Sequence, residues 1–271
     1  MNEQLSICAL RSSSKGNSSV VFGENTKILT DCGVSGKTVE SCLGKLGILP
    51  SEIDAMVITH EHTDHIKGAG IFSRKYNIPV YANAATWRAM SKQIGNICDE
   101  NVKIFETGKG FYIKDLKVKP FLISHDAAEP VGFVFGEHNS KIAVATDMGE
   151  IWDSVISEIC GCRTALIEAN YDKNMLEVGK YPYNLKLRIK SNRGHLCNDD
   201  TGLLACRLAE SGTREIILGH LSGENNYPEL AYQTVKNALE ERKFTVGEKV
   251  MLHIIKRECM GDVCRGGKIA L

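Results

Sequence analysis

The sequence predicts an α/β protein in which two β-sheets are covered by helices, and three observations carry that prediction. Apolar runs of strand length recur along the 271 residues. Helical patterns with capping residues alternate with them in two similar sets, the first ending near Met90. Between the sets, from about Val102, lies a stretch of short strands with closely spaced turn signals. Elements in that order bury their apolar faces by laying helices on sheets. No internal repeat or low-complexity linker interrupts the pattern, so residues 1–271 are expected to form one domain, not two on a tether.

Residues 4–10 and 18–23 read as strands joined by the loop Arg11-Ser12-Ser13-Ser14-Lys15-Gly16-Asn17, whose small polar side chains suit a close approach of backbone to ligand or solvent. A third strand over 27–30 runs into Asp31-Cys32-Gly33. Ser35 caps a helix to about Leu46, Gly47 closes it, and the apolar stretch 54–59 returns as a buried strand. Residues 68–76 and 84–94 are helical around a short strand at 78–82. The middle supplies strands at 103–106, 110–113 and 116–122, then a hairpin of 131–136 and 141–146 about Glu137-His138-Asn139-Ser140. A helix at 151–159 and a strand at 164–168 follow. Helices at 184–191, 199–210 and 228–242 complete the second set, with strands at 215–218 and 249–255.

Composition bounds the function only loosely. Lysine plus arginine equals aspartate plus glutamate at 33 each, so a polyanion site must be a local patch. A hydrophobic content of 43% is enough for a sizeable core. No apolar run approaches the ~20 residues of a membrane span, and residues 1–10 lack the pattern of a signal peptide, so a cytoplasmic protein is expected. The ten cysteines are scattered and expected to be free thiols. The near pairs Cys160/Cys162 and Cys259/Cys264 lack the spacing of zinc knuckles.

The chemistry gathers in His60-Glu61-His62-Thr63-Asp64-His65, three imidazoles and a carboxylate directly after the apolar run 55–59. Other polar residues stand at the ends of separate predicted strands: Asp31, His125, Asp147 and His220. Strand ends on one side of a sheet can converge, and the donor set suffices for two metals. Imidazole and carboxylate suit zinc, manganese or iron, and the lack of cysteine argues against a purely thiolate site. The helical zinc-protease pattern His-Glu-x-x-His fails here, because position 64 is Asp and the segment follows a strand.

His-x-His-x-Asp-His after a strand, with Asp31 before it and His125, Asp147 and His220 after it, resembles the metallo-β-lactamase superfamily across nearly the whole chain. Gly16-Asn17-Ser18, residues 59–68, Gly194-His195-Leu196 and Gly219-His220-Leu221-Ser222 are similar to the YycJ/WalJ group, whose members are regarded as DNA exonucleases. The resemblance implies a four-layer αββα sandwich and a 5′→3′ exonuclease cleaving phosphodiesters with two divalent ions, zinc or manganese first and iron after them. It assigns His60, His62 and His125 to one metal and Asp64, His65 and His220 to the other, with Asp147 bridging and Asp31 orienting a ligand imidazole. A water or hydroxide held between the metals would attack phosphorus, with Asp64 also orienting it.

His195 lies outside that ligand set, in Arg193-Gly194-His195 before a helix start, and is expected to contact the scissile phosphate or protonate the departing oxygen. Lys180, Lys186, Arg188, Lys190 and Arg193, with Tyr181 and Tyr183 among them, form a segment without acidic residues that could track DNA; a solvated helix face accounts for them equally well. His138 and His253 read as structural. Fewer than 30 residues separate Glu168 from His195, too few for the inserted cap domain of RNA-processing relatives. The same metal pair would serve a lactonase, thioesterase or cyclic phosphodiesterase, whereas the Asp64, His65 and Asp147 set speaks against a β-lactam hydrolase. A non-catalytic binding module is disfavoured by the complete ligand set.

Overall fold

The computed structural model describes residues 5–138, 140–256 and 260–264. Gln4, Asn139 and Cys259, which figured in the predicted first strand, the hairpin tip and a cysteine pair, lie outside them. Along the first half run β1 (Ser6–Ser13), β2 (Gly16–Phe22), β3 (Lys27–Thr30), α1 (Gly36–Lys45), β4 (Ala55–Val57), α2 (Thr63–Ile66), α3 (Ala69–Tyr76), β5 (Val80–Asn83), α4 (Ala84–Ile94) and β6 (Val102–Phe105). The second half contains β7 (Phe111–Ile113), β8 (Leu116–Leu122), β9 (Val131–Phe135), β10 (Ile142–Ala145), α5 (Asp153–Ile159), β11 (Thr164–Glu168), α6 (Lys173–Val178), α7 (Tyr183–Lys190), α8 (Asn198–Glu210), β12 (Glu215–Gly219), α9 (Pro228–Glu241) and β13 (Met251–Ile254).

Among the described residues, β1 to β6 form one sheet in sequence order, and β13-β12-β11-β10-β9-β8-β7 form the other. Each sheet has an antiparallel part, β1 to β3 and β7 to β10, and a parallel part, β3 to β6 and β10 to β13. The parallel strands are joined by helices, as crossovers require.

Alternation of side chains along the strands sorts the apolar residues into three layers of contact. Val21, Ile28, Ala55 and Val57 of one sheet meet Val118, Phe133, Phe135, Val144 and Ile217 of the other in the middle of the molecule. Their neighbours point outward: Val20, Leu29 and Met56 pack with Val39, Leu43, Phe72 and Met90 of α1, α3 and α4. Ala165, Ile167, Ile216 and Leu218 pack with Val155, Leu204, Leu208, Val235 and Leu239 of α5, α8 and α9. The result is helices, sheet, sheet, helices, the αββα order expected from the sequence.

Local signals hold the helix ends. Ser35 Oγ accepts from Thr38 N at 3.2 Å, Asn83 Oδ1 from Thr86 N at 2.8 Å and Asp172 Oδ1 from Met175 N at 2.8 Å. Gly47, at φ +72°, turns the chain out of α1. The expected loop at 11–17 is instead a hairpin whose strands pair as far as Ser13 and Gly16, leaving a turn of Ser14 and Lys15. The polar residues that read as loop are buried in the protein: Ser12, Ser13 and Asn17 are each under 7% exposed, and Asn17 Oδ1 accepts from Ser13 N at 3.1 Å. Helix α6, capped by Asp172, has no counterpart in the sequence reading. No helix among the described residues is long and apolar enough to cross a membrane.

Phe133 lies at the centre of the contact between sheets with no exposed surface, touching Phe105 and Phe135. Phe133→Ala is expected to lower unfolding free energy by roughly 3–5 kcal/mol, read from the midpoint of a urea titration.

Candidate metal centre

The strands of both sheets end on one side, and sharp backbone turns there aim the polar residues inward. Asp31, Asp147 and His220, following β3, β10 and β12, adopt φ of +58°, +63° and +52°. Such left-handed conformations are unfavourable for side chains with a Cβ, by about 1 kcal/mol or more each, and collect at functional sites. After β4 the chain stays extended to Thr59, with Ile58 N bonded to Tyr81 O and Val131 N to Thr59 O. It then delivers His60 and His62 and winds into α2, which carries Asp64 and His65. Gly33 permits this, since a Cβ there would stand 1.5 Å from the carbonyl oxygen of Asp64.

The predicted ligands converge. His60, His62 and His125 place one donor atom each within 4.8 Å of one another, and so do Asp64, His65 and His220. Asp147 faces both groups: Oδ2 is 3.3 Å from His65 Nε2, and Oδ1 is 3.3 Å from His220 Nε2 and 3.8 Å from His125 Nε2. Two donors on one tetrahedral ion with bonds of about 2.0–2.1 Å stand roughly 3.4 Å apart. His62 Nδ1 and His125 Nε2 are 3.2 Å apart and His65 Nε2 and Asp64 Oδ2 3.6 Å, so the donors fit shared ions. Buried atoms His60 Nε2 and Asp147 Oδ2 have no hydrogen-bond partner among the described residues, a costly arrangement that ligation to a cation relieves.

Electrostatics agree with that fit. Burial, with the neighbouring imidazoles, holds His60 well below its ordinary value; burial pushes His125 down to about 4 and also lowers His220. These rings are therefore neutral at pH 7, the form that binds metal. Burial would lower His65 as well, but Asp147, Asp31 and Asp64 outweigh it and raise it well above the usual range. Burial would likewise raise the Asp147 carboxyl, yet the imidazoles of His220 and His65 hold it well below the usual carboxylate range. Three carboxylates around His65 call for positive charge at its Nε2 side.

Outer groups fix the rings. Asp31 Oδ2 accepts from His65 Nδ1 at 2.8 Å, while the same carboxylate accepts from Thr59 N at 2.9 Å and Thr59 Oγ1 at 2.9 Å. His125 Nδ1 lies 3.1 Å from Gly194 O, and His60 Nδ1 lies 3.0 Å from Thr59 Oγ1. Asn17 Nδ2 reaches Asp64 Oδ2 at 3.4 Å. Such partners orient ligand imidazoles and set which nitrogen faces the ion.

Residues 26–221 match the family described as the beta-lactamase superfamily domain. The chain belongs to the beta-lactamase superfamily. It is 41% identical over 249 residues to "Exodeoxyribonuclease YycJ" of Bacillus anthracis, covering 92% of this chain and 94% of that one. It is 40% identical over 240 residues to "Exodeoxyribonuclease WalJ" of Streptococcus pneumoniae, covering 88% and 89%. Among solved structures, the metallo-β-lactamase fold protein YhfI from Bacillus subtilis superposes with a TM-score of 0.69 at 13% identity, over 94% of this chain and 98% of the other. Zn(2+)-bound PqqB from Methylobacterium extorquens gives 0.69 at 14%, over 95% and 99%. These two establish the metallo-β-lactamase fold.

Around this centre stand His195, which the sequence singled out, and groups that the sequence reading missed. His195 lies at the centre, its Nδ1 3.8 Å from Asp147 Oδ1 and its ring stacked on His220 at 5.2 Å. Its Nδ1 is 3.1 Å from Glu168 Oε2. Glu168 is wholly buried at the end of β11, and its other oxygen accepts from Met148 N. Burial would lower His195, but Glu168 raises it above the ordinary imidazole value. Glu168 read only as the last residue of a strand, although the strand-end rule that singled out Asp31 and Asp147 applies to it equally.

Asp126, also missed, lies 3.4 Å from His125 Nε2 and 3.9 Å from His62 Nε2, and Arg188 of α7 grips both its oxygens, one at 2.9 Å. Arg193 donates to His125 O at 3.2 Å. The basic segment is thus partly neutralised, Lys190 pairing with the Glu177 carboxylate at 2.7 Å, while Lys186 keeps its charge and donates to the backbone Glu177 O at 2.6 Å. Tyr181 packs with Tyr171, Leu176 and Ile189, so of the two tyrosines only Tyr183, 71% exposed, offers a stacking face. His138 sits at its hairpin turn and His253 in β13, both outside this centre.

Asp31→Ala removes the acceptor of His65 and Thr59 together. Its metal affinity, measured by competition with a chelator, is expected to fall about 10–100-fold while far-ultraviolet dichroism stays that of the parent.

Proposed function

We propose that this chain is a metal-dependent DNA exonuclease, working from the 5′ end, with two divalent ions. His60, His62 and His125 would hold one, Asp64, His65 and His220 the other, and Asp147 would stand between them. The observation that carries the reading is the meeting of both donor groups on Asp147. The relatives named exodeoxyribonucleases, alike over nine-tenths of the chain, support the choice of DNA. When bound, such ions supply Lewis-acid charge to the phosphoryl oxygens and an activated water.

The chain's own groups complete the chemistry. Asp64, held by Asn17 and partly open to solvent, orients the attacking water at the mouth of the centre. His195, with Nδ1 engaged by Glu168, has Nε2 left to carry the proton for the departing 3′ oxygen. Arg188 and Arg193 bring positive charge beside His62 and His125 and attract the backbone phosphates, Arg188 exchanging Asp126 for a phosphate oxygen. Tyr183 offers a face for a base.

A second reading, a small-ester or cyclic phosphodiester hydrolase, is favoured by the pairing of Lys186, Arg188 and Lys190 with acidic residues or backbone, which shortens any track for a polymer. Incubating metal-loaded protein with 5′- and 3′-labelled single- and double-stranded DNA, alongside small esters and cyclic phosphodiesters, separates the two. Early release of the 5′ label as mononucleotide is the expected result, abolished in Asp64→Ala and Asp147→Asn. Early release of the 3′ label would reverse the polarity, and turnover of small esters alone would replace the substrate. His195→Ala is expected to lower kcat about 10²–10⁴-fold at unchanged metal content.

A further inference from the structure

At the opposite end of β12 from His220, a second group of ligand-type side chains comes together from three segments. Glu215 opens β12, His253 pairs with Ile217 across β12 and β13, and Cys264 pairs with Ile7 of β1. One donor atom of each lies within 4.8 Å of the others. Glu215 and Cys264 are each 3% exposed. The His253 Nε2 atom is buried with no hydrogen-bond partner among the described residues. Beside them is a cavity of about 210 Å³ lined in part by His253, Asp262 and Cys264. His220 stands five residue steps along the strand from Glu215, roughly 16 Å at ~3.3 Å each, so the two groups cannot share an ion.

We propose that Glu215, His253 and Cys264 form a zinc site that fastens the first strand and segment 260–264 to the second sheet. Thiolate, imidazole and carboxylate together select zinc over magnesium or calcium, which take oxygen donors alone. The cavity leaves room for a fourth donor, water or the Asp262 carboxylate. Binding releases the Cys264 thiol proton to solvent, and the sulfur then holds the ion as thiolate. Without a cation, burial, aided by Glu215, Cys8 and Asp262, pushes that thiol up to about 12, and a bound divalent charge reverses this. Burial keeps His253 neutral, the ligand form. The donors lie 38 and 11 residues apart in the chain, which is why no zinc-knuckle spacing announces them.

The full-length protein, stripped with chelator and reloaded with cobalt(II), tests this, because the ligands of the other centre include no sulfur. A thiolate-to-cobalt charge-transfer band in the near ultraviolet is expected, retained in Asp147→Asn and lost in Cys264→Ser. Zinc-loaded Cys264→Ser and His253→Gln should each contain one ion per chain fewer than the parent. X-ray absorption on the zinc-loaded parent, which needs no variant to fold, should show sulfur at about 2.3 Å. Absence of sulfur from the parent's zinc environment, or a cobalt band that persists in Cys264→Ser, would overturn the site.

Discussion

A carboxylate buried among imidazoles constrains this molecule more than any other feature. Asp147 is 2% exposed, and its two oxygens face His65, His125, His195 and His220. A charge in such a place is tolerated only when opposite charge and ordered donors surround it, and loss of one partner of a buried pair costs roughly 3–5 kcal/mol. The donors come from separate strand ends of both sheets, so their meeting requires the two sheets to keep a fixed spacing. The apolar layer between the sheets, with Phe133 and Phe135 against Val21, Ile28 and Val57, provides that fixed spacing. Core and centre are therefore two parts of one construction.

The strained turns belong to the same construction. Asp31, Asp147 and His220 occupy a backbone region that glycine would enter freely, yet only a side chain can supply what each position needs. Parallel strands held by neighbours on both sides, as β3, β10 and β12 are, anchor the chain up to the turn and allow the strain to persist. Thr59 then links the layers of the centre, donating twice to Asp31 while its hydroxyl stands between His60 and His65.

How much of this could be read from the residues alone depended on distance along the chain. His60 to His65 was legible because four donors fall within six residues, and Asp31, His125, Asp147 and His220 because each interrupts an apolar run at its end. Most helices and strands were legible through periodicity and caps such as Ser35 and Asn83, though not the short α2 and α6. What escaped was pairing. Glu168 meets His195 only because β11 and the turn before α8 come together, 27 residues apart in sequence. Arg188 finds Asp126 across 62 residues. The Ser and Asn residues of 11–17 read as a loop open to ligand or solvent, since nothing local reveals that they pair as strands, that Ser12 Oγ accepts from His220 N or that Asn17 reaches Asp64.

The pairing of Ile7 with Cys264 bears on how the border of the first sheet is covered. β1 borders its sheet, and a free border strand is a template for another chain. Here Ile7 and Cys264 exchange backbone hydrogen bonds at 3.1 and 2.9 Å, and Ser13 bridges to Leu221 at the strand's other end. The border is thus closed by segments made long after it, the farther one about 250 residues later. During synthesis the first hairpin is therefore made well before the segments that cover its border, so that edge is unpaired while most of the chain is being made.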